Sequence, residues 1–155
     1  MTSIYWFWKN FDLNSVDYVG FNHYRRFFDP ADLADYKSYD AIVARPIKWS
    51  TLNVRDQYTL HHNRRDLSYL TGLLEVAGCT KTFHDFLKLP ELFAPCNMFL
   101  MKTKLFKQYC EFMFPLLFKL EQHVHVEGRS EYQQRAIAFL SERLTSFWCY
   151  SLTQD

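Results

Sequence analysis

A chain of 155 residues with a formal net charge of +1 has no basic excess with which to follow a nucleic acid or an anionic membrane surface. Aromatic residues make up 19% of it, while glycine and proline number only 4 and 5, which excludes a disordered or low-complexity chain and calls for a packed core. The length suits one domain or a piece of a larger one.

Thr2 or Ser3 can cap a short helix carrying Ile4, Tyr5, Trp6, Phe7 and Trp8. That helix is apolar nearly all round, so it is expected to be buried or to lie against something further. Asn10 to Asn14 reads as a turn into a first strand at Tyr18, Val19 and Phe21, with Gly20 letting a backbone or a ligand approach closely. Asp29-Pro30 breaks the chain, and residues 31–39 are expected to form a short helix. Residues 39–44 read as a second strand, stopped by Pro46. After a loop over residues 49–53, helices are expected at 54–62, 66–76, where Gly78 closes the last turn, and 80–88. Pro90 and Pro95 frame what reads as an exposed loop. Residues 96–101 form the third strand, and from Thr103 a long helix keeps a stripe of Leu105, Phe106, Tyr109, Phe112, Met113, Leu116, Leu117 and Leu120, with Pro115 inside it. Ser130-Glu-Tyr-Gln133 is a capping-box pattern ahead of a last helix whose buried face is Ile137, Leu140, Leu144 and Phe147. The class is α/β with helices in excess.

The chemistry concentrates at the end of the first strand, in His23, Tyr24, Arg25 and Arg26. Adjacent guanidiniums suit a di-anion, because each can bind phosphate in a bidentate way. The competing reading is a solvated turn, with Arg25 or Arg26 paired to Asp29 or Asp32. His61 and His62 stand at a helix end, where neighbouring side chains diverge by about 100° and make poor joint ligands. One of the two can face a site; otherwise the pair, with Arg64 and Arg65, forms a cationic helix terminus. Asp66 reads as a helix cap or a base. His123 and His125 fall on one side of a strand-like segment, a spacing that can bind metal, but no further ligand is marked by spacing. Glu142-Arg143, with Glu131 and Arg135, reads as a ladder of surface ion pairs; Glu142 cannot share the face of Leu140 and Leu144, so it points to solvent or to a cleft edge. Asn97, at the start of a buried strand, needs partners for its amide, and a sugar hydroxyl would be one. Cys79, Cys96, Cys110 and Cys149 show no short paired spacing, which argues against a zinc knuckle or redox dithiol and for reduced cytosolic thiols. No secretory leader is visible, and the apolar run 112–118 is too short to span a bilayer.

Tyr5-Trp-Phe-Trp-Lys-Asn10 followed by Asp17-Tyr-Val-Gly-Phe-Asn-His-Tyr-Arg-Arg-Phe-Phe28 resembles a conserved block of a bacterial family, domain of unknown function 4422, found in capsular and exopolysaccharide gene clusters. The likeness continues through Tyr39-Asp-Ala-Ile-Val43, Gln57-Tyr58, His61-His62, Asp66-Leu67, Asn97-Met-Phe-Leu-Met-Lys102, the stretch 109–118 and Phe139-Leu-Ser-Glu-Arg-Leu144. The resemblance implies a GT-A-like, Rossmann-like sheet in an incomplete version, since family members carry a further N-terminal segment with a first strand. It implies a glycosyltransferase moving a sugar from a nucleotide-diphosphosugar, of the UDP type, to a surface polysaccharide or lipid-linked glycan, at the cytoplasmic face of the membrane and peripheral to it. Arg25 or Arg26 would neutralise the leaving diphosphate in place of a divalent metal, or manganese or magnesium would serve with His23 as ligand. His23, Tyr24, His61, His62 and Asn97 would complete the donor site, and Glu142 or Asp66 would act as base. Two alternatives stay open: a non-catalytic remnant or partner subunit of a transferase, and a carbohydrate-binding module stacking sugars on Trp6, Trp8, Trp49 and Tyr24.

Overall fold

In the computed structural model, which describes residues 1–154, the chain runs α1 (Thr2–Asn10), β1 (Tyr18–Phe21), β2 (Ala41–Val43), β3 (Ile47–Lys48), α2 (Val54–His61), α3 (Arg64–Val76), α4 (Thr80–Leu87), β4 (Glu91–Leu92), β5 (Phe99–Lys102), α5 (Thr103–His123) and α6 (Ala136–Ser151). The class is mixed α/β. The main sheet has the order β1-β5-β2 and is antiparallel throughout; β3 and β4 form a separate ribbon. Central β5 alternates, with Phe99 and Met101 turned into the core and Leu100 half-exposed. Their neighbours Val19 and Phe106 and the α5–α6 side chains Tyr109, Met113 and Phe147 are buried with them. Each such large apolar side chain contributes about 1.5–3 kcal/mol on burial.

Register decides where the chemistry collects. Phe21 of β1 faces Phe99 of β5, and so does Val43 of β2. The pairs run antiparallel, so the chain leaving β1 (residues 22–26), the chain entering β5 (residues 95–98) and the chain leaving β2 meet at one end of the sheet. The opposite end is fixed by Thr103, whose hydroxyl donates to Val16 O at 2.6 Å and whose amide donates to Asp17 O at 2.8 Å. That corner carries β5 into α5 without a loop.

Several expectations are corrected. Residues 31–39 form two single 3-10 turns, at Pro30–Leu33 and Tyr36–Ser38, instead of a helix. The stretch between Pro90 and Pro95 is not an exposed loop: β4 pairs with β3, and Leu92, Ala94 and Pro95 are buried. Met1, not Thr2 or Ser3, holds the cap position of α1, with no side-chain cap bond. One face of α1 lies on α5, where Tyr5 meets Phe114 edge-on at 4.9 Å and Trp8 stacks on it at 5.6 Å. The other face leaves Trp6 63% exposed. Ser130 does bond the Gln133 amide, but it opens a 3-10 turn; α6 begins only at Ala136. Pro115 is carried inside α5 without ending it. The proline sits on the exposed side, where water can take the carbonyl bond that its missing N–H leaves open.

Candidate active site

The sheet end described above opens into a cleft of about 670 Å³. One wall is the turn that leaves β1. His23 O accepts from the Arg26 amide at 3.1 Å, and His23 Nδ1 accepts from the Arg25 amide at 3.4 Å, which places the ring proton on Nε2. His23, Tyr24 and Arg26 line the cleft. Arg25 does not; its guanidinium lies over the Tyr24 ring at 4.8 Å and stiffens that exposed aromatic. Arg26 Nη1 donates to Cys96 Sγ at 3.0 Å. The ion pairs of the solvated-turn reading are not formed: Asp29 spends its carboxylate on the Ala31 amide, and among the described residues neither arginine touches an acid. Two unpaired guanidiniums on a turn are free to take an external anion.

The opposite wall is α6. Glu142 lines the cleft with a side chain 28% exposed. Arg143 beside it is buried, at 3%. The surface-ladder reading therefore fails for Arg143, and its spacing explains why: it sits three residues after Leu140 and four before Phe147, inside the apolar stripe. Its guanidinium donates to Gln57 Oε1, to Phe139 O at 3.3 Å and to Glu142 Oε2 at 3.3 Å, and it lies 5.2 Å from the Tyr58 ring. Burial pulls its pKa below the ordinary arginine value, with Glu142 opposing. Gln57 and Arg143 are functional candidates that the sequence reading does not single out, although both fall in stretches that carry the family resemblance; the stripe position is a further signal for Arg143. Arg135 and Tyr132 complete this wall. Among the described residues Arg26, Arg135 and Arg143 thus face a single carboxylate, and the cleft lining carries a positive excess.

His62 ends α2 in the cleft wall, with its ring 4.0 Å from that of Phe139. Burial above all, then Arg143 and His61, pushes its pKa down to about 4, against Asp66. The cationic-terminus reading is overturned for this residue: it is neutral at physiological pH. The unfolded chain takes up the proton near pH 6.5 and the folded one only near 4, so stability is full above pH 6.5 and falls as the pH drops toward 4. Because the ring is half-buried and partly screened, the expected loss is about 1–2 kcal/mol. Urea unfolding at pH 7 and pH 4.5, on wild type and on His62→Gln, should show that component disappear in the variant.

His61 faces a neighbouring depression with Asn63, Arg129 and Ser130. Asp66 lies outside the cleft. It is 1% exposed and held in a bidentate pair by Arg129, at 2.5 and 2.9 Å. Asn63, not Asp66, holds the cap position of α3. A carboxylate buried and paired in this way, outside the cleft, is not placed to act as its base. His123 closes α5 with Nδ1 2.7 Å from Lys119 O, so the strand-like reading of His123 and His125 does not hold. Among the described residues no three His, Cys, Asp or Glu side chains converge, and no disulfide forms.

Asn97 does not begin the strand. It lies in a turn where Ala94, Cys96 and Asn97 all take positive φ, of 44°, 63° and 53°. Left-handed non-glycine residues are strained, of order 1–3 kcal/mol each, and persist only where their surroundings fix them. Here α6 does so. Ser146 Oγ donates to Phe93 O; Asn97 Nδ2 donates to Ser141 Oγ at 3.2 Å; Thr145 Oγ1 donates to Asn97 Oδ1 at 2.7 Å and accepts from the Tyr109 hydroxyl at 2.9 Å. The amide that a sugar hydroxyl was expected to satisfy is thus engaged at both ends by protein, and it holds the turn that presents Cys96 to Arg26.

The fold recurs in a solved structure, that of WbbM, a bifunctional glycosyltransferase in its apo form, with a TM-score of 0.82 and 22% identity over 99% of this chain. This chain spans 33% of that one. No curated protein matches the sequence. Residues 1–154 match Domain of unknown function (DUF4422), and the chain belongs to that family.

Proposed function

We propose that the cleft transfers a glycosyl group from a nucleotide-diphosphosugar to a hydroxyl of a glycan acceptor. The observation that carries this reading is the disposition of charge: unpaired Arg26 on one wall and a single carboxylate, Glu142, on the other. Transfer breaks the bond from the anomeric carbon to the diphosphate oxygen and makes one to the acceptor oxygen, with the acceptor proton leaving to a base. Arg26, held against Cys96, and the Nε2–H of His23 meet the negative charge that develops on the leaving diphosphate, where fixed donors act most strongly. Glu142 takes the acceptor proton in an inverting reaction. Tyr24 and Trp49, both in the cleft lining, offer flat faces for base or sugar. A UDP donor and a lipid-linked or surface-polysaccharide acceptor at a membrane face fit this arrangement; among the described residues no helix is long and apolar enough to cross a membrane. That the fold is shared with part of a bifunctional glycosyltransferase supports the reading.

Calorimetry of the chain with UDP, UDP-glucose and UDP-galactose, with and without manganese, tests it. Binding is expected, and Arg26→Ala should weaken it about tenfold to a hundredfold, the worth of a charge-assisted contact to phosphate. Binding that appears only with manganese would move the diphosphate contact to a metal on His23. No binding of any donor by the folded chain would sink the proposal.

A further inference from the structure

Beneath the α6 wall, polar atoms go without partners, and they cluster. The Tyr58 hydroxyl, His62 Nδ1 and Arg143 Nε are all buried and unbonded. The Arg143 guanidinium lies 5.2 Å from the Tyr58 ring, and the Tyr58 and His62 rings are 4.9 Å apart. A buried polar atom left unsatisfied is costly to a fold, and natural proteins keep few of them. Nothing in the packing requires the Tyr58 hydroxyl; a phenyl ring would fill the same space.

The three atoms share a chemistry. Arg143 Nε–H can only donate. Burial, reinforced by Asp66, pushes the Tyr58 phenol up, so it keeps its proton and donates. Neutral His62 can present an N–H at Nδ1. Behind them stands a buried positive charge whose sole carboxylate contact among the described residues is one 3.3 Å approach from Glu142. Donors around an incompletely neutralised cation are what an oxyanion takes up. His62 and Arg143 line the cleft, and Tyr58 lies fully buried.

We propose that this recess binds an oxyanion of the acceptor, a carboxylate or a phosphate monoester on its sugar, and so sets the acceptor hydroxyl against Glu142. The assignment rests on the transferase reading of the cleft. On that reading the donor diphosphate is met by Arg26 and His23 on the other wall, which leaves this recess to the second substrate. Glu142 immediately precedes Arg143 on α6, so base and anchor are placed by one turn of one helix. Tyr58, His62 and Arg143 are then positioning residues.

Calorimetry of the full chain with glucuronate, glucose 1-phosphate and glucose, each with and without saturating UDP, tests the proposal. At least one of the two oxyanions is expected to bind, glucose is not, and UDP is expected not to displace it. Glucuronate alone identifies a carboxylate, and glucose 1-phosphate alone a phosphate. Tyr58→Phe removes only the hydroxyl, so it should raise Tm in the empty protein and weaken oxyanion binding about five- to tenfold. Arg143→Lys keeps the charge without the Nε donor and should weaken binding likewise. The proposal is overturned if neither oxyanion binds, if UDP displaces it, or if Tyr58→Phe lowers Tm and leaves binding unchanged, the mark of a hydroxyl serving a structural water. UDP-galactose binding that depends on Arg26 is read separately. A chain that binds UDP-galactose but neither oxyanion keeps the transferase reading and loses this one; a chain that binds the oxyanion but no UDP-sugar keeps the anion site and loses both the donor site and the acceptor role given to that anion.

Discussion

Arg129→Ala is expected to destabilise the protein by about 3–5 kcal/mol, enough to remove much of the stability of a domain of this size. Asp66 is 1% exposed, and the Arg129 fork is its bidentate partner. Deleting the guanidinium strands a carboxylate where water reaches it poorly, so the penalty is that of an uncompensated buried charge and not the modest worth of an ion pair. Asp66 lies in the first turn of α3, where the helix dipole favours a negative charge, and Arg129 is 17% exposed on its side chain, so some water can enter. Both place the loss toward the lower end of the range. Asp66→Ala combined with Arg129→Met removes both charges and should recover most of the stability. Urea unfolding of the two variants measures this. A loss below about 1 kcal/mol for Arg129→Ala would show that the pair behaves as a surface contact.

Glu142→Gln should lower the turnover of sugar transfer about a hundredfold to ten-thousandfold and leave donor binding nearly unchanged. Glutamine is close in shape and can still accept from Arg143, so the α6 wall keeps its geometry and only the proton acceptor is lost. At 1.36 kcal/mol per decade this is about 2.7–5.4 kcal/mol of transition-state stabilisation. Single-turnover rates with UDP-galactose and a glycan acceptor, set beside calorimetry of the donor alone, separate the two quantities. Turnover within threefold of wild type would remove Glu142 from the base role.

The outline of both the fold and the cleft could be read from the residues, and what escaped did so for identifiable reasons. The strands at Tyr18–Phe21 and Phe99–Lys102 and the helices α2 to α6 announce themselves by β-branched and aromatic runs, by caps and by the 3.6-residue stripe. The turn from His23 to Arg26 stood out because basic and aromatic residues cluster there with no helical period. Two-residue strands such as β3 and β4 are too short to show alternation, so the buried ribbon at Leu92 passed for a loop. The Asp66–Arg129 pair joins residues 63 positions apart, and no spacing rule reaches that far. Asp66 was therefore open to readings as cap or base, and the cap position belongs to Asn63. Arg143 was read by its charge, as half of a surface pair, when its position between Leu140 and Phe147 put it on the buried side. The left-handed turn at Ala94–Asn97 has no glycine to mark it, because its conformation is imposed by hydroxyls of α6 and not by local preference.

That turn has a consequence for how the cleft responds to its surroundings. The chain of contacts that spans from α5 through α6 to the turn runs from the Tyr109 hydroxyl to Thr145, to Asn97, to Ser141. Each link is a neutral hydrogen bond, and burial holds the Tyr109 phenol well above its ordinary pKa, so no member ionises at physiological pH. Dissolved ions do not screen such a clamp, and protons do not loosen it. The guanidiniums that face the cleft keep their charge, but dissolved ions do screen it. Ionic strength therefore acts on how tightly an anionic substrate is held and on how fast it arrives, while the width of the opening that receives it stays constant.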